Sequence, residues 1–169
     1  MRVLEAELAC AHADTARRLR ALRRPRGAVE LGRFAEVAYA ARAGLAVWPC
    51  VPRWVRCALH GGGGVTTRDR GVDAVGVLDG RLVLAQVKWY REGACVSGDA
   101  DMKLALIAAV AQRSLALAEP PRAILVVRRG ARTARTSPGT AGVEYVELTE
   151  EDSYCGGRAA PQTALCRDL

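Results

Sequence analysis

The dipeptide Asp79-Gly80, set between the β-rich runs Val72–Leu78 and Arg81–Trp89, constrains this chain more than any other feature. Asp-Gly favours the type I′ turn, whose two central residues both take positive φ and whose twist suits a pair of antiparallel strands. A two-residue turn of this kind also sets a register. Leu78 pairs with Arg81, and counting outward Val77 faces Leu82, Val75 faces Leu84 and Asp73 faces Gln86. Lys88 lies two positions beyond Gln86, hence on the same side of its strand and diagonal to Asp73.

The rest of that side is apolar, and so is the reverse side, with Val72, Ala74, Val83, Ala85 and Val87. A hairpin greasy on both faces belongs inside a sheet covered by helices. Three polar groups at one end of it need a reason, because burying an unpaired Asp or Lys is costly. One reading is an Asp73–Lys88 ion pair capped by the Gln86 amide. The other is a site in which Asp73, helped by Glu36, holds a hard divalent cation; Mg²⁺ is satisfied by one or two carboxylates and keeps several waters. Such an ion stabilises charge on a phosphate and activates water, and Lys88 would orient that water or stabilise the anionic transition state.

The flanking patterns give an α/β order. Residues 2–24 carry Leu4, Leu8, Ala11, Thr15, Leu19 and Leu22 at helical spacing, stopped by Pro25 and Gly27. The last turns hold Arg17, Arg18, Arg20, Arg23 and Arg24, read first as a solvated face favoured by the helix dipole, with a phosphate-binding arm as the alternative. A second helix runs from about Val29 to Ala43, ended by Gly44, with Glu36 near the edge of its apolar stripe. Leu45–Val51 reads as a first strand, followed by a long loop with Gly61–Gly64 that lacks the Gly-Lys-Ser/Thr of a P-loop. After the hairpin come an apolar helix from Ala100 to Ala118, a short strand Ala123–Val127 returning to a parallel position, a basic loop Arg128–Gly142 and a last strand Val143–Leu148. The expected division is a basic helix at 1–28, a core at 29–149 and a tail at 150–169.

At 169 residues, half of them hydrophobic, the chain suits one compact core. Six cysteines without a Cys-x-x-Cys pair, and only His12 and His60 beside them, read as reduced thiols and not as a zinc site. No charge-free run reaches the roughly 20 residues of a membrane span, and Glu5, Glu7 and Asp14 break up the start where a signal peptide is apolar, so a soluble, intracellular protein with no membrane partner is expected. A net charge of +7 favours a polyanionic partner without naming one.

Gly32-x-x-x-Glu36 on an early helix, Gly71-Val72-Asp73 opening a strand and Gln86-Val87-Lys88 ending the next resemble the PD-(D/E)xK nuclease superfamily. The order of elements matches that superfamily's core from about Val29 to Leu148, and the strings RGVDAVGV and LAQVKWY look most like its Mrr-type restriction endonuclease branch, with archaeal Holliday-junction resolvases a more distant likeness. The resemblance implies a restriction-endonuclease-like core, a central mixed sheet flanked by helices in the order α-β-β-β-α-β-β, with an extra N-terminal helix. It implies a Mg²⁺- or Mn²⁺-dependent endonuclease cutting DNA; since cutting two strands is easiest with two related sites, a homodimer is the expected partner arrangement. The metal would be bound by Asp73 and the Val87 carbonyl with support from Glu36, and Lys88 and Gln86 would complete the catalytic set. Gln86 stands where most of the superfamily has Asp or Glu, although the Mrr-like branch commonly has Gln there; an amide oxygen binds a cation more weakly than a carboxylate. A DNA-binding module without catalysis on the same fold is the alternative. Arg68, Arg70, Trp89, Tyr90 and Arg91 are the neighbouring candidates for contacts with nucleic acid, the two aromatics serving equally well as a core edge, while Asp69, Lys103 and Gln112 read as solvated.

Overall fold

The computed structural model describes residues 1–61, 71–90, 93–96, 99–133 and 142–149. Arg68, Asp69, Arg70, Arg91, three of the four loop glycines and the tail from residue 150 lie outside them. In chain order the elements are helices α1 (Arg2–Ala21) and α2 (Ala28–Arg42), strand β1 (Ala46–Val47), a 3-10 turn Trp48–Cys50, helix α3 (Arg53–Leu59), strands β2 (Ala74–Leu78), β3 (Arg81–Lys88) and β4 (Cys95–Val96), helix α4 (Asp99–Ser114), and strands β5 (Arg122–Arg128), β6 (Arg132–Thr133) and β7 (Val143–Leu148).

The turn between β2 and β3 takes the expected form, with φ of 51° at Asp79 and 74° at Gly80. Its register also follows the count, from Leu78 opposite Arg81 to Ala74 opposite Ala85. The hairpin sits inside a five-stranded mixed sheet of order β1-β2-β3-β5-β7, antiparallel from β1 to β3 and parallel from β3 to β7. Period-two alternation sends Leu82, Leu84 and Val75 to one face, where they join Leu4 and Leu8 of α1, Leu59 of α3 and Leu104 of α4. Val83, Ala85 and Val87 go to the other face, against Ala35, Tyr39 and Ala40 of α2. The fold is therefore α/β, a mixed sheet covered by helices on both faces, and α1 shares the core of the rest.

Local chemistry explains where the elements depart from the expected ones. The run Leu45–Val51 gives only two strand residues, because Pro49 has no N–H to offer a ladder and turns the chain into the 3-10 segment. The stretch after it, read as loop, contains α3, which starts behind Pro52 and buries Val55 and Leu59 at i,i+4 spacing. The basic loop Arg128–Gly142 holds β6, paired in parallel with β4 in a separate two-stranded sheet. Among the described cysteines, Cys10, Cys50 and Cys57 are free thiols. No described helix is long and apolar enough to cross a membrane.

Thr15 ties α1 to the sheet. Fully buried, its hydroxyl donates to the Ala11 carbonyl and accepts the Val47 N–H, each at 2.9 Å, so the sheet edge at β1 is closed by a helix side chain. Thr15→Val keeps the shape but strands that N–H, and should lower unfolding free energy by about 1–3 kcal/mol in a denaturant titration.

Across the parallel strands, Arg122 donates two hydrogen bonds of 2.8 Å to the carboxylate of Glu144. This guanidinium holds the Glu144 carboxyl below its usual range, against the smaller opposing effect of burial. Tyr39 of α2 lies close enough to feel both charges; burial first, then Glu144, pushes its phenol up from 10.0 to about 12. A raised pKa gives stability that is whole below pH 10 and is lost as the pH climbs towards 12. On the order of 1 kcal/mol should be gone by about pH 11, and Tyr39→Phe should remove that part of the alkaline loss when urea unfolding is compared across the range.

Candidate metal site at the end of the hairpin

The far end of the hairpin departs from the simple count at its last step. Asp73 donates its backbone N–H to the Ala85 carbonyl at 2.8 Å, yet Ala85 already stands opposite Ala74. Two residues of one strand therefore face one of the other, the arrangement of a β-bulge, and Asp73 is not squarely opposite Gln86 as counting required. The bulge is held from the other side by the Trp48 N–H, which donates to the Asp73 carbonyl at 2.7 Å.

The displaced backbone brings the carboxylate to the edge of β3. Asp73 is only 8 % exposed, and its Oδ2 accepts the Val87 N–H at 2.6 Å, a short charge-assisted bond. Backbone groups in a strand alternate sides, so Ala85 and Val87 both turn their N–H and C=O towards β2. Where β2 has stopped, the Asp73 side chain stands in for the missing strand, and the Val87 carbonyl faces the same space.

Gln86 is 4 % exposed and projects from the face that carries Leu82 and Leu84. Its amide rests against Gly71: a Cβ there would come within 2.9 Å of the Gln86 Nε2, and the φ of +103° at Gly71 independently requires glycine. Gln86 Oε1 is buried with no hydrogen-bond donor among the described residues. An acceptor left in that state is costly; the ring nitrogens of Trp48 and Trp89 are likewise buried without an acceptor among the described residues. Lys88 lies one alternation further along the same face, half-buried, beside Val127 of β5. It makes no ion pair with a described residue, so the Asp73–Lys88 bridge, the alternative reading of the sequence, is not formed.

Glu36 comes from the opposite face. On α2, Tyr39 stands near Arg122 and Glu144, at the start of the parallel strands, and Ala35 belongs to the same core cluster as Val87 and Val126. Glu36, beside Ala35, is half-buried. The structure thus joins Asp73 to Val87 through one hydrogen bond, sets Gln86 and Lys88 either side of Val87 on one face of β3, and places Glu36 on the turn of α2 before Tyr39.

Trp89 is a partly buried edge of the α2-face core, one of the two readings its position in the sequence allows, and the Arg128 guanidinium lies 5.7 Å from its ring centroid; Tyr90, 39 % exposed, is accessible. Asp101, given no role from the sequence, is 4 % exposed and accepts a hydrogen bond of 3.1 Å from the Tyr145 hydroxyl. Tyr145 shares the Gln86 face, two strands away across Leu125. An acidic residue in the first turn of a helix is ordinarily a solvated one, which is why no local signal singles Asp101 out.

Among the described residues no group of three or more His, Cys, Asp or Glu side chains gathers as a metal cluster. What the strand ends offer is a set of hard oxygens: one carboxylate, one amide oxygen and one backbone carbonyl, with a second carboxylate on α2. Comparison with protein-family models, with curated proteins and with solved structures finds no match to this chain.

Proposed function

We propose that this chain is a metal-dependent DNA endonuclease with a restriction-endonuclease-like core of the Mrr type in the PD-(D/E)xK superfamily. The observation that carries the reading is the buried Gln86 Oε1, without a donor among the described residues, one residue before the Val87 N–H that binds the Asp73 carboxylate at the open edge of β3. A cation would satisfy that acceptor, and the oxygens present are those a Mg²⁺ or Mn²⁺ ion takes. Asp73, the Gln86 amide and the Val87 carbonyl would hold it, with Glu36 in support. When bound, such an ion supplies Lewis-acid stabilisation of the phosphate and a water of lowered pKa.

The chain's own groups do the rest. The bulge and the Val87 N–H fix the Asp73 carboxylate so that it need not reorganise during the reaction. The Lys88 ammonium, uncommitted to any ion pair with a described residue, places a positive charge where the scissile phosphate accumulates negative charge. Water attacks phosphorus, the P–O bond to the leaving sugar oxygen breaks, and that oxygen takes up a proton. A neutral amide at Gln86 weakens cation affinity relative to a carboxylate, and this one feature favours the second reading, a DNA-binding module without catalysis.

The test is to incubate supercoiled and four-way-junction DNA with the protein and Mg²⁺, beside Lys88→Ala. Cleavage by the native chain and a loss of at least about a hundredfold in the variant are expected. Absence of cleavage by the native chain, or full activity in the variant, contradicts the proposal.

A further inference from the structure

The densest run of basic residues in this protein lies at the end of α1 and the connection that follows it. Arg17, Arg18, Arg20, Arg23, Arg24 and Arg26 fall within ten residues that contain no Asp or Glu, and without these six the net charge of +7 drops to +1. All six are exposed, and Arg17 forms an ion pair with Asp14. The buried stripe of α1, Leu4, Leu8, Ala11 and Thr15, ends before the run begins, so burial of an apolar face does not require it.

Helix-dipole stabilisation accounts for only part of the run. Arg18 and Arg20 lie in the last turn of α1, where a cation is favoured, but the effect fades beyond that turn and Arg23, Arg24 and Arg26 stand past the helix end. The connection that carries them is a defined one: the Arg26 N–H donates to Glu30 Oε2 at 2.8 Å, fixing the entry to α2. The position also relates to the site. From the first residue of α2 to Glu36 is eight residues, about 12 Å along the helix, and Ala35 beside Glu36 belongs to the same core cluster as Val87, whose N–H binds Asp73.

We infer that this arginine run is a second contact for the phosphate backbone of a nucleic-acid duplex, holding it beside the strand ends without reading sequence. The inference rests on the DNA reading above and adds to it a surface that the catalytic residues do not include. Arginine throughout, with no lysine, suits forked contacts with phosphate oxygens. An anionic lipid surface is the competing partner, since Leu22 and Val29 beside the run are 43 % and 74 % exposed; the link through α2 to Glu36 favours the duplex.

The experiment measures binding of the full chain to a duplex oligonucleotide without divalent metal, over roughly 50 to 200 mM salt, for the native protein and for Arg23→Gln/Arg24→Gln/Arg26→Gln. The variant should bind at least about tenfold more weakly, and its log K against log salt slope should flatten by about 0.9 for each phosphate that the removed arginines neutralise. The corresponding triple Lys variant should retain the steep slope. Arg113→Gln, which removes an exposed charge on α4, should flatten the slope by no more than about 0.9, the value for a single phosphate. If the native chain cuts and binds DNA while the triple Gln variant binds with native affinity and slope, the inference fails and the endonuclease reading stands. If the native chain binds no duplex, both fail. If it binds no duplex but associates with phosphatidylserine-containing vesicles, and the triple Gln variant does not, the run belongs to a membrane surface instead.

Discussion

Asp73→Asn should leave the protein folded and reduce DNA cleavage by about a thousandfold. Asparagine keeps an oxygen that can accept the Val87 N–H, and its backbone keeps the bonds to Ala85 and Trp48 that form the bulge. The architecture at the end of β2 therefore has no reason to change, and the melting temperature should shift by only a few degrees, corresponding to about 1 kcal/mol. What disappears is the negative charge, and with it the main attraction for a divalent cation. Loss of one preorganised electrostatic group at a reacting centre commonly costs a factor of about 10² to 10³, and under the proposed function the same group would also set metal affinity. Cleavage rate at saturating DNA and Mg²⁺, read with circular dichroism melting, separates the two effects. Native-like cleavage in Asp73→Asn removes Asp73 from the chemistry; a collapse of the melting transition assigns it to the fold.

Gly76→Ala should be the most damaging single methyl group in the hairpin. A Cβ at Gly76 would lie 2.5 Å from Leu45 Cδ2 and 3.2 Å from both the Leu45 Cα and the Gly44 carbonyl oxygen. The first of these is a side-chain end, but Leu45 is fully buried and its N–H is bonded to the Ala40 carbonyl at 2.8 Å, so neither side chain nor backbone has room to retreat. Overpacking of this kind costs up to about 3 kcal/mol, a fall of roughly 10 °C in melting temperature for a domain of this size. Leu45→Ala alone should also destabilise, through the cavity it leaves. Combined, the two should cost less than the sum of the separate effects by at least about 1 kcal/mol, because the truncated side chain makes space for the added methyl. Strict additivity would show that β2 and Leu45 do not meet as described.

The hairpin was legible because its determinants are local. Two residues that tolerate positive φ, flanked by apolar alternation, fix the turn, the register over Ala74–Leu78 and the central place of β3 without help from the rest of the chain. Val143–Leu148 read true for the same reason, bounded by Gly142 and rich in Val and Tyr. The bulge at Asp73 was not legible, since the Trp48 N–H that holds it is 25 residues earlier in the chain and belongs to a segment that reads as strand. The seating of Gln86 on Gly71 is likewise tertiary. Helix α3 hid behind Pro49 and Pro52, whose usual meaning is a loop, and β4 with β6 have two residues each, too few to show a period. Of the site, residue types and strand ends could be read from the sequence. The placement of Asp73 differs from the count: its carboxylate reaches the edge of β3 within the sheet plane, through a backbone irregularity, and not by cross-strand opposition.

The most direct measurement is a Mn²⁺ titration followed by electron paramagnetic resonance, on the native chain and on Asp73→Asn, without DNA. A saturable class of bound Mn²⁺ that Mg²⁺ displaces and that vanishes in Asp73→Asn is the result expected of a cation site built from Asp73, Gln86 and Val87. Equal Mn²⁺ binding by the two proteins, or none by either, would contradict it.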